Sequence, residues 1–113
     1  MNIQDYSTQA ISTLTEGHGA ADIDATLMAQ VLGLIGESGE VAEKFKKLIR
    51  DKQGQMSEED RAEILKELGD ILWYVNAVAH LLDAKLEDIA ADNLKKVLSR
   101  KERGQTFGSG DNR

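Results

Sequence analysis

Residues 57–82 read SEEDRAEILKELGDILWYVNAVAHLL, and this stretch decides the fold. Ser57 is the expected N-cap of a helix, and the acidic residues that follow it suit the positive end of the helix dipole. Apolar residues then recur at spacings of three and four, which predicts an amphipathic helix that ends near Leu82. They are Ile64, Leu68, Ile71, Leu72, Val75, Val78, Ala79 and Leu82. A helix with one apolar stripe buries it against other helices, so the pattern favours a bundle.

The same periodicity continues on the N-terminal side. A second long helix is predicted from about Ala25 to Arg50, with Asp24 as its N-cap. Its apolar stripe, which we expect to lie in the core, comprises Leu27, Val31, Leu34, Val41, Phe45 and Leu48. A short amphipathic helix is predicted over residues 3–14, and the polar residues 16–24, which include His18, are predicted to form a loop.

On the C-terminal side a fourth helix is predicted over residues 86–100. Asn93 stands in the middle of its apolar stripe, where a buried amide would need a hydrogen-bond partner on another helix or on a ligand. From Gly104 onward the chain is Gly-rich and has no helical periodicity. We expect an irregular tail that is either mobile or folded over a site.

Length and composition agree with this all-helical reading. The chain has 113 residues and no proline, so nothing interrupts long helices. We predict a single all-α domain over residues 1–113: a four-helix-type bundle with a short N-terminal helix, two long central helices, a C-terminal helix and an irregular tail. A core of this size gains from association, so we also expect an oligomer.

Charge and composition exclude several classes of function. The net charge of −6 argues against a protein that binds duplex nucleic acid, because such binding needs an extended basic face, and we expect no nucleic-acid partner. The chain has no cysteine, which excludes disulfides and thiolate nucleophiles. No apolar run is long enough to span a bilayer, and the N-terminus does not resemble a signal peptide. We therefore expect no membrane partner and a cytoplasmic location.

Two pairs of acidic residues are the strongest functional signal. Glu37 and Glu40 lie three residues apart in the second helix, and Glu67 and Asp70 have the same spacing in the third. Each pair projects from one side of its helix; Glu37, Glu40 and Glu67 lie at the edge of the apolar stripe, with Asp70 further round. Gly33, one turn before Glu37, would leave space beside the acids. Acids that meet across two helices repel each other, so a cation is the natural partner.

The donor set indicates which cation. Carboxylate oxygens without histidine or cysteine suit Mg²⁺, with Mn²⁺ as a substitute, and do not suit zinc. The competing interpretation is that these are ordinary solvated acids of an acidic protein. The duplicated spacing, with a glycine inside each pair, favours the metal site.

Polar residues on the fourth helix indicate which ligand would bind together with the cation. Magnesium commonly meets substrate phosphates, and Lys96 and Arg100, one turn apart and following Asn93, could neutralise phosphate oxygens. The alternative is a basic surface strip that balances the acidic total. Tyr74, one turn after Asp70, could contact a sugar or base, or it could simply be half-buried in the bundle. Trp73 lies on a different side of the helix and could serve a subunit interface or the substrate base.

Three blocks of sequence resemble the MazG-like nucleoside triphosphate pyrophosphohydrolases. The first is Gly36-Glu37-Ser38-Gly39-Glu40-Val41-Ala42-Glu43. The second is Glu63 followed by Glu67-Leu68-Gly69-Asp70-Ile71-Leu72-Trp73-Tyr74. The third is Asn93-Leu94-Lys95-Lys96-Val97-Leu98-Ser99-Arg100. Their order along the chain makes the resemblance more specific than one acid pair.

The resemblance implies an all-α homodimer or homotetramer that cleaves a nucleoside triphosphate to the monophosphate and pyrophosphate with Mg²⁺. It implies metal ligation by Glu37, Glu40, Glu67 and Asp70, with Glu37 and Glu40 both open as the general base. It further implies phosphate contacts from Lys96 and Arg100, and nucleoside contacts from Tyr74 and Asn93. Two other functions remain open: a phosphoribosyl-ATP pyrophosphohydrolase, whose family has similar acid pairs, and a non-catalytic helical adaptor.

Overall fold

The computed structural model of the protein describes residues 1–14 and 23–113. Over these ranges the chain forms four helices and no strand: α1 (Ile3–Ile11), α2 (Ala25–Lys52), α3 (Glu58–Leu81) and α4 (Leu86–Glu102). The all-α prediction is confirmed. The predicted loop over residues 16–24, with His18, lies outside the described residues except for its last two positions.

Side-chain caps set the starts of the two long helices. Asp24 accepts a hydrogen bond from the Leu27 amide at 2.8 Å, as predicted. Ser57 and Asp60 form a reciprocal capping box, in which each side chain accepts from the other residue's amide at 3.1 and 3.0 Å. An ion pair of 2.9 Å between Lys52 and Asp60 joins the end of α2 to the start of α3. These contacts fix α2 and α3 as an antiparallel hairpin.

The short helix α1 ends three residues earlier than predicted. The hydroxyl groups of Ser12 and Thr13 donate to the backbone carbonyls of Gln9 and Ala10 at 2.6 and 2.7 Å. Side chains that bond the backbone in this way compete with continuation of the helix. The 3.6-residue pattern extended through Leu14, but the hydroxyls stop the helix at Ile11.

A buried amide fastens α1 to the hairpin. Asn76 of α3 is 2 % exposed; its amide nitrogen donates to the Ser7 carbonyl at 3.0 Å and its oxygen accepts from the Ser7 hydroxyl at 2.6 Å. The Trp73 indole donates to the Thr13 hydroxyl at 2.8 Å. The apolar stripe did not single out Asn76, because sequence periodicity identifies apolar and not polar core positions.

Helix α4 packs against α1 and α3 and, within the described residues, not against α2. The buried apolar side chains accordingly gather around the α2–α3 hairpin and the start of α4; they are Leu27, Leu48, Ile64, Ala77, Ala79, Leu81 and Leu86. Among the described residues no helix is both long and apolar enough to cross a membrane.

Several predicted core positions are exposed in the single chain. Phe45 is 43 % exposed, and Leu68, Leu72 and Leu82 are also on the surface, so the prediction of core was wrong for these residues. Asn93 is exposed as well, which corrects the expectation that its amide is buried. The physical reason is the same throughout: the faces that carry these residues are not covered by another helix of the described chain.

Candidate functional site

Acidic side chains from α2 and α3 meet across the hairpin. Glu37, Glu67 and Asp70 each offer a carboxylate oxygen, and these oxygens all lie within 4.8 Å of one another. The i, i+3 spacing places Glu67 and Asp70 on one side of α3, and the antiparallel packing brings that side against the middle of α2. The two helices therefore supply one acidic cluster, which we call the acid cluster.

Two oxygens of the acid cluster are buried without a partner. Glu37 and Glu67 are half-buried, and the Oε2 atom of each is inaccessible to solvent and forms no hydrogen bond within the described residues. An unpaired buried acceptor is normally costly, and a negatively charged one more so. Because both belong to carboxylates that meet across the hairpin, the cluster has the chemistry of a site for a positively charged ligand.

The electrostatics of Glu67 reflect this crowding. A hydrogen bond with Glu37 raises the pKa of Glu67 above its usual value, and desolvation and repulsion from Glu37 act in the same direction. A hydrogen bond with Glu40 and the charge of Lys44 partly lower this pKa. When no cation is bound, the Glu67 carboxyl therefore keeps its proton to a higher pH than an isolated glutamate does.

Glu40 stands at the edge of the acid cluster. It is exposed and is not one of the three residues whose oxygens are mutually within 4.8 Å, although it is close enough to Glu67 to lower the pKa of that residue. Of the four predicted ligands, the structure thus brings three together and places the fourth beside them.

The donor set fits a hard divalent cation. Every available ligand is a carboxylate oxygen, which suits Mg²⁺ or Mn²⁺, and the two unpartnered oxygens point to a ligand that accepts electron density. Asp70 is exposed, so the site is open to solvent on one side.

A cleft of about 340 Å³ adjoins these acids and is lined by Glu37, Asp70, Trp73 and Tyr74. The Tyr74 ring is half-buried and packs edge-to-face on Trp73, with a centroid separation of 5.1 Å. Tyr74 therefore lines the cleft beside the acids and is also half-buried in the bundle, so its position agrees with both alternatives predicted from the sequence.

Gly33 makes room for this tyrosine. A Cβ atom at Gly33 would lie 2.8 Å or less from three atoms of the Tyr74 ring, a distance that side chains do not tolerate. The absence of a side chain at Gly33 therefore leaves room, as predicted, but the Tyr74 ring occupies it.

The predicted phosphate-binding residues form a second cluster. Lys96 donates to Asp111 Oδ1 at 2.9 Å, and the Arg100 guanidinium donates to the same oxygen at 3.2 Å and to the Asp111 carbonyl. Arg100 is only 8 % exposed. We call Lys96, Arg100 and Asp111 the basic cluster.

The acid cluster and the basic cluster adjoin different clefts in the single chain. The cleft beside the basic cluster is lined by Asp92, Lys95, Lys96, Ser99, Arg103, Asp111, Asn112 and Arg113. It shares no lining residue with the cleft beside the acids. Sequence reasoning missed Asp111, because an acid in an aperiodic Gly-rich tail gives no signal of its spatial neighbours.

Comparisons with known proteins bear on the whole chain. The model of the MazG nucleotide pyrophosphohydrolase domain matches residues 25–104, which include both acid pairs, Lys96 and Arg100. The chain is 43 % identical over 114 residues to the Gene 37 protein of Mycobacterium phage L5, and the match covers all of both proteins. No solved structure matches the chain significantly.

Proposed function

Because the chain belongs to the MazG nucleotide pyrophosphohydrolase family, we propose that it hydrolyses a nucleoside or deoxynucleoside triphosphate to the monophosphate and pyrophosphate with the help of Mg²⁺. The observation that carries this proposal is the acid cluster, in which three carboxylates converge beside a cleft and two of their oxygens lack partners. A role in the control of nucleotide pools follows from such an activity.

Glu37, Glu67 and Asp70 are the residues that would hold the cation, with Mn²⁺ as a possible substitute. When bound, the cation supplies positive charge against the phosphate oxygens and makes a nearby water more acidic. Because Glu37 and Glu67 are half-buried, solvent screens their charges less than it screens those of fully exposed acids.

We assign the general base to Glu40, which leaves Glu37 as a ligand. Glu40 is exposed at the edge of the acid cluster, where its carboxylate is free to meet water. It accepts a proton as the water oxygen bonds to the α phosphorus. The bond from that phosphorus to the α–β bridging oxygen breaks, and its electron pair leaves with pyrophosphate.

Lys96 and Arg100 are assigned to the phosphates, whose charge they match and whose oxygens the Arg100 fork is shaped to bind. Tyr74 is assigned to the nucleoside because its ring lies in the cleft beside the acids. Asn93 is exposed on the same helix as Lys96 and is free to present its amide to the nucleoside.

We further propose that the protein is a homodimer or homotetramer. Its accessible surface of 8207 Å² compares with about 6,100 Å² for a compact monomer of this mass. Its radius of gyration of 16.9 Å compares with about 13 Å. Exposed apolar residues recur at helical spacing on both long helices and would be covered by a second copy; they are Met28, Leu32, Ile35, Leu65, Leu68 and Leu72.

Light scattering coupled to size exclusion tests the oligomer. We expect a mass of two or four chains for the wild type, and a shift towards the monomer in Leu32→Glu and Leu68→Glu, which place a charge on the two apolar faces. A monomeric wild type at micromolar concentration would rule out this part of the proposal.

A panel of nucleotides with Mg²⁺ tests the reaction. The assay measures pyrophosphate over all standard ribo- and deoxyribonucleoside triphosphates, and phosphoribosyl-ATP is included because a related helical family acts on it. We expect pyrophosphate and the monophosphate in equal amounts from at least one free nucleotide. Release of single phosphates, or turnover of phosphoribosyl-ATP alone, would contradict the assignment.

Two variants distinguish a ligand of the cation from the general base. Glu40→Gln should lose turnover yet keep the rise in melting temperature that Mg²⁺ gives, because binding to the native state alone stabilises it. Glu37→Gln should lose both. If Glu40→Gln also loses the Mg²⁺-dependent rise, Glu40 is a ligand and not the base.

A further inference from the structure

The last ten residues fold back onto α4. The Arg113 guanidinium donates to the carbonyls of Gln105, Thr106 and Gly110 at 3.1, 3.1 and 2.7 Å. Arg103 of α4 donates to the Arg113 carbonyl at 2.9 Å. The tail is therefore a closed loop with its own hydrogen bonds, and it is anchored to the end of the helix.

This loop places the Asp111 carboxylate against Lys96 and Arg100. A single oxygen, Asp111 Oδ1, accepts from both Lys96 and Arg100, as a phosphate oxygen held between two cations would. The same two cations lower the pKa of Asp111, so the group is an anion at neutral pH. Asp111 itself is 75 % exposed in its side chain, so it contributes little packing to the fold.

Arg100 is not fully satisfied by this contact. It is 8 % exposed, and its Nε atom is buried with no hydrogen-bond partner among the described residues. A guanidinium that is buried to this extent and still has a free donor suits an anion with more oxygens than one carboxylate presents.

We infer that the tail is an internal competitor for phosphate: Asp111 occupies Lys96 and Arg100 and must leave before the phosphates of a substrate bind there. The inference rests on the proposed function for the identity of that anion. It makes the tail a self-inhibitory element that lowers apparent affinity by the fraction of chains in which it is closed.

Asp111→Asn is the primary test. The variant keeps the shape of the side chain and removes the charge that pairs with Lys96 and Arg100. We expect the KM for the preferred nucleotide, and the Kd for inorganic tripolyphosphate measured by calorimetry without Mg²⁺, to fall by about three- to thirty-fold. High salt should shrink the difference between the wild type and the variant, because exposed charges are screened.

Two further variants control the result. Glu102→Gln removes an equal charge from an exposed acid at the end of α4 and should leave both constants within about twofold. Gly110→Ala changes no charge, but Gly110 has φ +87° and open space around it, so the alanine strains the tail and nothing else. It should lower both constants in the same direction as Asp111→Asn, by a smaller factor.

The outcomes separate this inference from the proposed function. An unchanged or weaker tripolyphosphate affinity in Asp111→Asn overturns self-inhibition, whether or not the wild type hydrolyses nucleotides. A tighter affinity in that variant, with no nucleotide hydrolysed by either protein, would keep the competing tail and reject the proposed reaction. An equal gain in Glu102→Gln would mean that general charge, and not the position of Asp111, controls binding, and would also overturn the inference.

Discussion

The acid cluster and the basic cluster differ in whether the chain itself supplies a partner of opposite charge. Glu37 and Glu67 are brought together with buried oxygens that lack partners. Lys96 and Arg100 instead receive a carboxylate from the chain's own tail. In the acid cluster, a bound cation would relieve the repulsion between carboxylates. At Lys96 and Arg100, an anion gains no free cation to pair with until Asp111 is displaced. We therefore expect the acid cluster to bind a cation without first losing an internal partner, whereas phosphate binding at Lys96 and Arg100 requires Asp111 to leave.

The largest expected effect comes from neutralising the acid cluster. Glu67→Gln should lower turnover about 100-fold or more, because it removes one ligand of the proposed cation. In metal-free buffer the same variant should unfold at a higher temperature than the wild type, because it removes a carboxylate that repels Glu37. Thermal unfolding with EDTA, beside the nucleotide assay, checks both signs.

Glu43→Gln is the matched control for this change. Glu43 lies on α2 with its side chain 47 % exposed, in an ion pair with Lys46 and outside the acid cluster. Its neutralisation should leave turnover near the wild-type value and should not raise stability, because surface ion pairs contribute little. If Glu67→Gln destabilises the metal-free protein, the repulsion on which the comparison depends is absent.

The next effect concerns the cleft beside the acids. Gly33→Ala gains about 1 kcal/mol of helix propensity but forces the Tyr74 ring aside, a change that typically costs about 1 to 3 kcal/mol. We expect the substitution to be clearly more favourable in a Tyr74→Ala background than in the wild type. Denaturant unfolding of the four proteins in this cycle measures the coupling, and nucleotide KM should rise in Gly33→Ala.

Gly36→Ala provides the comparison for that cycle. A Cβ atom at Gly36 meets nothing within 4 Å in the single chain, so its effect on stability should not depend on residue 74. Equal effects of Gly33→Ala in both backgrounds would show that the tyrosine does not occupy the predicted position.

Much of this architecture could be predicted from the sequence, and the failures share a cause. Asp24 and Ser57 gave the correct helix starts because capping depends on residues three positions apart. The meeting of Glu37 with Glu67 followed from helical spacing and an antiparallel hairpin. Periodicity identified apolar faces but not what covers them, so Phe45 and Leu68 were placed in a core that the single chain does not form.

Only the two cations of the basic cluster were predicted from the sequence. Lys96 and Arg100 are on one side of α4, as their spacing of four requires. Their contact with Asp111 depends on how an aperiodic tail of glycines turns, and no pattern in the sequence encodes that path. Asn93 was misplaced because the apolar stripe around it implied a covered face, whereas Asn93 is exposed among the described residues.

The smallest expected effect is a difference in how stability depends on pH between Glu67, which is crowded by other acids, and Asp60, which is paired with Lys52. The pKa of Glu67 is raised, so without metal its folded form binds a proton more tightly than its unfolded form. The resulting stabilisation is present below the ordinary glutamate pKa of 4.5 and is lost as pH rises through the raised pKa. In EDTA, the gain in melting temperature from Glu67→Gln should therefore be larger at neutral pH than near pH 4.5.

Asp60 should show the opposite sign. A hydrogen bond from Lys52, followed by those from Ser57, lowers its pKa to about 2. Its contribution to stability is present above the ordinary aspartate pKa of 3.8 and is lost as pH falls towards about 2. Asp60→Asn should lower the melting temperature at neutral pH, and the difference should disappear in strong acid. The same sign for Asp60 and Glu67 would remove the distinction between paired and crowded acids.

Calorimetric titration of the nucleotide-free protein with Mn²⁺ tests the central claim most directly, because it measures cation binding without catalysis. We predict saturable binding to the wild type and to Glu43→Gln, and its loss in Glu67→Gln. No binding to the wild type, or equal binding to the wild type and Glu67→Gln, would contradict the claim that these converging carboxylates form a cation site.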